Sequence, residues 1–146
     1  MVLADFIPED GQRRIAQAIT EAERRTSGEI CIHVTPSCRG KNVMESAEAT
    51  FNRLELFRTQ RRNAVLIFVA YLDRQLAILG DQGINEQVPD GFWDDTAATL
   101  SLRLRAGRPV DGLCEAVTSI GDKLKAFFPA DRNDINELSN EVTFED

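Results

Sequence analysis

Residues 63–83, NAVLIFVAYLDRQLAILGDQG, decide how this chain is read. The run 65–70 is unbroken, apolar and rich in β-branched residues, and it is too short for a freestanding helix, so it reads as a strand covered on both faces. Such a strand belongs in the middle of a sheet. Asp73 and Arg74 then separate it from a second apolar run at 76–79. That is the spacing of a hairpin and not of a crossover, so the two strands are antiparallel.

Upstream, Gly28 stops a helical pattern and Glu29 opens a strand, with Ile30, Ile32 and Val34 on one face and Cys31, His33 and Thr35 on the other. Asn42 and Glu45 have capping-box spacing, and Val43, Ala47, Phe51 and Leu54 form an apolar stripe, so a helix lies between the first two strands. A strand, a helix and a strand in succession make a right-handed crossover, which sets 29–35 parallel to 65–70.

The remaining elements are helices. Pro8, Glu9 and Asp10 begin an amphipathic helix that carries Ile15, Ala18, Ile19 and Ala22 and finishes at Arg24 and Arg25. Trp93, Ala97, Leu100 and Leu104 are spaced for a helix stopped at Gly107, and Pro109 restarts another through Leu113, Val117, Ile120, Leu124 and Phe128. The expected fold class is α/β: a three-layer α/β/α sandwich with a small mixed sheet, in the order α-β-α-β-β-α-α, over residues 1–129. An acidic arm, 130–146, follows; its Ile135, Leu138, Val142 and Phe144 are expected to hold it against the domain, with the end frayed.

Composition narrows the function classes. The chain has 146 residues and a formal charge of -7, which argues against nucleic acid, whose binding needs clustered Lys and Arg. The short basic clusters at 13–14, 24–25 and 58–62 are flanked by acids and read as solvated helix ends. No stretch approaches the ~20 apolar residues of a membrane span, and residues 1–10 lack a basic-then-apolar leader, so the expected location is cytoplasmic with no membrane insertion. Three cysteines, Cys31, Cys38 and Cys114, have no CxxC spacing and read as reduced thiols; only Cys38, in a Pro-Ser-Cys-Arg-Gly loop, could be an accessible one. His33 is the single histidine, on a strand, and reads as a core residue.

Strand direction sorts the acids. The start of the first strand at Glu29, the start of the second at Asn63 and the end of the third at Asp81 share one rim, whereas Asp73, Arg74, Pro36 and Ser37 belong to the other. Asp81, Asn85 and Glu86 supply oxygens on a glycine-permitted turn, and Glu29 and Asn63 could add to them, a set that suits a hard cation such as calcium or magnesium. The same residue types also form turns and cap helices, so that reading stays open beside the metal. Asp73 most simply forms the hairpin turn and is kept as a binding candidate on the opposite rim.

The words Thr26-Ser27-Gly28-Glu29-Ile30, Arg62-Asn63-Ala64-Val65-Leu66-Ile67, Asp73-Arg74, Gly80-Asp81-Gln82-Gly83-Ile84-Asn85 and Leu104-Arg105-Ala106-Gly107 resemble the TPM domain family, the thylakoid-lumen acid phosphatase-like domain. The closing words at 136–142 are similar to those of its short stand-alone bacterial members. The resemblance implies an α/β/α sandwich, a polar pocket that holds divalent cations such as calcium, and phosphatase activity that is weak and not established across members. It maps the family's motif positions onto Asn63, Gly83 and Asn85, with Glu29 shared mainly with the short members. Asn85 stands where many longer relatives carry Glu, which removes a charge from the ion site, and Ala64 stands where Gly is usual.

Two functions are therefore carried forward. The first is a divalent-cation-binding, phosphatase-like domain acting on a phosphate ester through Glu29, Asn63, Asp81, Asn85 and Glu86, with no catalytic residue assigned. The second is a non-catalytic interaction module that assists assembly or turnover of a larger complex, its acidic arm and loop 36–41 meeting a basic protein partner.

Overall fold

The computed structural model describes residues 3–130 and 138–145. In chain order the elements are α1 (Leu3–Phe6), α2 (Glu9–Glu23), β1 (Glu29–Thr35), α3 (Val43–Arg53), a single 3-10 turn (Leu56–Arg58), β2 (Ala64–Ala70), β3 (Gln75–Gly80), α4 (Gln82–Asn85), α5 (Asp94–Arg105), α6 (Pro109–Lys125) and β4 (Thr143–Phe144). Every residue of β2 is buried, as its uninterrupted apolar run requires.

The sheet has the order β3-β2-β1-β4. β1 and β2 run parallel, with Glu29 opposite Ala64 and Thr35 opposite Ala70. β3 returns antiparallel, with Val65 opposite Gly80 and Ala70 opposite Gln75. The hairpin loop is thus the four residues 71–74, longer than the two expected, and Arg74 closes it in the left-handed region at φ 55°.

Alternation along β1 and β2 divides the apolar side chains between two cores. Ile30, Ile32, Val34, Val65, Ile67 and Val69 pack with Ile15 and Ile19 of α2, Leu100 of α5 and Leu113, Val117 and Ile120 of α6. On the other face Cys31, Leu66 and Phe68 pack with Ala47 and Phe51 of α3. The three layers are α2, α5 and α6, then the sheet, then α3. α2 and α6 cross closely at Gly121, where an added Cβ would lie 2.9 Å from that of Ala22. Asn42 caps α3 as its spacing predicts, its side chain accepting from the backbone N–H groups of Met44 (2.8 Å) and Glu45 (3.3 Å). Among the described residues no helix is long and apolar enough to cross a membrane.

Several local expectations are corrected. Pro8 occupies the N-cap of α2 and not its first turn, after a short α1 that lacks any periodic signal. The segment at 82–85 is a helical turn capped by Asp81. Cys38 is only 6% exposed and packs with the α3 core, because its backbone N–H is drawn in to Asp73, so it is not the accessible thiol its loop suggested. β4 adds a fourth strand: Thr143 and Phe144 pair parallel with His33 and Val34. Residues 138–145 of the expected arm thus lie on the domain, with Val142 buried and Glu145 ion-paired to Arg53, whereas Ile135 lies outside the described residues.

Of the glycines, Gly83 has the least room for a side chain. An added Cβ would stand 2.2 Å from the carbonyl oxygen of Arg61 and 2.7 Å from that of Arg62, and both belong to backbone that cannot swing aside. Gly83→Ala is expected to lower stability by about 2 kcal/mol or more, in the range of overpacked sites. Urea unfolding checks this, and an unchanged midpoint would mean that the turn yields freely.

Candidate functional site

β1 and β2 both begin, and β3 ends, at one edge of the sheet. The backbone N–H of Glu29 donates to Asn63 O (3.2 Å), and that of Asp81 donates to Ala64 O (2.9 Å). At the opposite edge, Asp73 accepts from the Ser37 hydroxyl (2.9 Å) and the Cys38 N–H (2.7 Å), tying the hairpin loop to the turn after β1. Asp73 and Asp81 therefore stand at opposite ends of the sheet, as chain direction demands.

Asp81 is held by both backbone and side-chain donors on the first rim. It is 6% exposed and N-caps α4, accepting from the Gln82 N–H at 2.7 Å. The Arg62 guanidinium closes on the same carboxylate through two parallel bonds, Nε to Oδ2 at 2.7 Å and Nη2 to Oδ1 at 2.9 Å. Such a fork fixes orientation as well as charge. Arg62 holds this position from a left-handed backbone at φ 52°.

Asp81 and Arg62 head an open cleft of about 480 Å³ between α3 and α4. Phe51 and Leu79 give it apolar surface, and Glu48, Asn52, Asn85 and Glu86 give it oxygens. Asn85 donates Nδ2 to Gly80 O (2.9 Å), which leaves its Oδ1 as an acceptor, and Glu86 accepts from Gln82 Nε2 (3.2 Å). Asp81, Asn85 and Glu86 are thus gathered in one place.

Glu29 and Asn63 share the rim but do not line this cleft. Glu29 is 3% exposed and hydrogen-bonds to Glu23, at the end of α2, whose own Oε2 accepts the Ile30 N–H at 2.8 Å. Burial, opposed by that backbone bond and reinforced by Glu29, pushes the Glu23 carboxyl up to about 9. Burial and then the same two acids push the Cys31 thiol up to about 12. Asn63 is 1% exposed and locks the rim, with Nδ2 donating to Ser27 O (3.2 Å) and its N–H to Thr59 Oγ1 (3.1 Å). Its buried Oδ1 has no donor among the described residues.

His33 is held away from the cleft. It is 2% exposed, Nδ1 lies 2.7 Å from Thr143 Oγ1, Nε2 lies 3.5 Å from Glu145 Oε2, and burial lowers its pKa. Among the described residues no group of three or more His, Cys, Asp or Glu side chains is gathered to hold a metal ion. Sequence reasoning missed Arg62, Glu23 and Glu48. Arg62 sat in a basic cluster read as a solvated helix end, and nothing local tells a helix-surface Glu from one turned toward a sheet edge or a cleft.

The Glu23 carboxyl keeps its proton in the fold to about pH 9 but ionises near 4.5 as an ordinary glutamate. Between those values the folded chain binds the extra proton, so this group's stabilisation is complete below pH 4.5 and is lost as pH rises toward 9. Glu23→Gln, which stays neutral, is expected to flatten that decline in urea midpoints measured at about pH 5, 7 and 9. Parallel curves for the two proteins would overturn the assignment.

The whole-chain comparisons agree with one another. The model of the TPM domain matches residues 1–123. The NMR structure of the BA42 protein from the psychrophilic bacterium Bizionia argentinensis superposes with a TM-score of 0.91 at 34% identity, covering 99% of each chain. The N-terminal domain of the cg2496 protein from Corynebacterium glutamicum superposes at 0.64 and 16% identity, over 80% of this chain and 72% of that one, a likeness of fold alone. Among proteins of curated function, none matches the chain. The family match covers the three strands and the turn that build the Asp81 rim, and this chain belongs to the TPM domain family.

Proposed function

We propose that the cleft headed by Asp81 binds a divalent cation, calcium or magnesium, and that the domain is phosphatase-like, with weak hydrolysis of phosphate esters. The observation that carries this reading is the two-pronged Arg62–Asp81 pair at the head of a cleft that also gathers Asn85, Glu86 and Glu48. These residues fit a loosely held, water-rich ion better than a closed cage, because Asp81 is their only buried carboxylate and Asn85 contributes no charge.

A hard cation bound there would supply charge neutralisation for a phosphate ester and a polarised water. The chain's own part is to exchange partners. Asp81 can serve the ion or the guanidinium, and Arg62, once released, presents its fork to a phosphate at the mouth of the same cleft. Glu29 and Asn63 act from behind, by holding the strand ends in register. The lining contains no histidine or cysteine, which favours the second reading as far as a general base is concerned: a binding module whose partner is a protein.

Calcium followed by amide NMR is the direct test, with signals from 48, 62 and 80–86 expected to shift at about millimolar ion. Arg62→Gln removes the competing cation and should tighten binding severalfold, whereas Asp81→Asn should abolish it. Shifts confined to 36–39 and 73, or none, would sink the proposal. Turnover of 4-nitrophenyl phosphate that survives purification and vanishes in the Asp81→Ala, Glu86→Ala double variant supports catalysis; a retained background rate in that variant assigns the domain to the non-catalytic class.

A further inference from the structure

A second cleft lies at the far rim of the sheet, between the 71–74 hairpin loop and the turn joining α5 to α6. It is more enclosed than the Asp81 cleft and holds about 340 Å³, inside the range of small-ligand sites. Val69, Leu76 and Leu104 give it apolar walls. Phe6 and Tyr71, stacked at 4.8 Å between ring centroids and 19° between planes, extend those walls as an aromatic surface.

Its charged groups are unusual for this chain. Arg74 and Arg105 both line the cleft, and neither makes an ion pair or a side-chain hydrogen bond among the described residues. The protein is strongly acidic, with 24 Asp and Glu against 17 Lys and Arg. Arg14, Arg24, Arg25, Arg53, Arg58, Arg62, Arg103 and Arg108 all find carboxylate partners. Asp5 is the single acid on the lining, so the two guanidiniums leave the cleft net positive.

The position of Arg74 is built, not incidental. Its φ of 55° costs a non-glycine residue about 1 kcal/mol, and the hairpin pairing of Ala70 with Gln75 holds it there. The neighbouring Asp73 is pinned by Ser37 and Cys38, so the loop has little freedom to carry the guanidinium away. The carboxyl end of α5 and the amino end of α6 meet at the same place, and their opposed dipoles offset. Side chains therefore set the sign of the field.

We infer that this far-rim cleft binds a small amphipathic anion, an aromatic or acyl body bearing an oxyanion head. The body lies on the Tyr71–Phe6 surface and against Leu76 and Leu104, where burial of apolar area drives binding. The head meets Arg74 and Arg105, whose forks match carboxylate or phosphate oxygens. The site is independent of the Asp81 cleft, which lies at the other end of the sheet.

Phenylacetate is the probe, titrated into the full chain with a chelator present and followed by amide and arginine Nε NMR signals. Saturable shifts are expected at 5–6, 69–76 and 101–109. Benzyl alcohol, which keeps the ring and lacks the charge, should bind at least about tenfold more weakly, and so should phenylacetate to the Arg74→Gln, Arg105→Gln double variant. The inference is overturned by the absence of saturable shifts at about 10 mM phenylacetate, by equal affinity for the neutral analogue, or by shifts centred on 48, 62 and 80–86. Should the double variant lose its amide dispersion, the wild-type salt dependence decides: affinity that does not fall as ionic strength rises overturns the ion-pairing role.

Discussion

Everything in this molecule depends on β2 having no side left for water. Its two edges are taken by β1 and β3, and its two faces by separate helical cores. A strand closed on all sides admits one register, because a slip of one residue would exchange Val65, Ile67 and Val69 for Ala64, Leu66 and Phe68 and misfit both cores at once. That single register sets Glu29 level with Ala64 and, one step along, Val65 level with Gly80, which makes residues 29, 63 and 81 neighbours. It equally sends the 71–74 loop and the turn after β1 to the far end.

The two acids that share the first rim are treated in opposite ways. The Asp81 carboxylate is held by the Arg62 fork and a backbone N–H at the mouth of an open cleft. Glu29 is turned to the sheet edge beside Glu23, where burial and like charge favour a shared proton. Two carboxylates of the same rim thus differ in kind: one is paired with a guanidinium at an open cleft, and the other is buried beside a second carboxyl.

The rims also differ in their chemistry. The Asp81 cleft is open and mixed in sign, with one guanidinium already committed to a carboxylate. The far cleft is more enclosed and largely apolar, and it is bounded by two guanidiniums that make no ion pair among the described residues, with Asp5 as the one acid on its lining. The same hairpin that fixes the sheet separates these environments, since its two ends feed one residue to each: Asp81 after β3 and Arg74 before it.

Much of this was written in the chain itself. The unbroken apolar run of β2, the alternation of β1, the cap at Asn42 and the stripes of α2, α5 and α6 are local patterns whose periods translate directly into elements, and strand direction then assigns Asp73 and Asp81 to opposite rims. The partners were not local. Arg62 and Asp81 are 19 residues apart and Cys38 and Asp73 are 35 apart, so no window of sequence contains either pair. β4 pairs only two residues, too few to carry a period, and Glu23 differs from any solvated helix-end glutamate only in what α2 happens to face. Sequence alone determined the elements and their directions, because those follow from backbone period and the burial of one face. Tertiary structure decided which carboxyl is pushed up by burial, which carboxylate takes the Arg62 fork, which thiol is covered and which arginines make no ion pair among the described residues, because those depend on side chains that meet only after the chain has closed on itself.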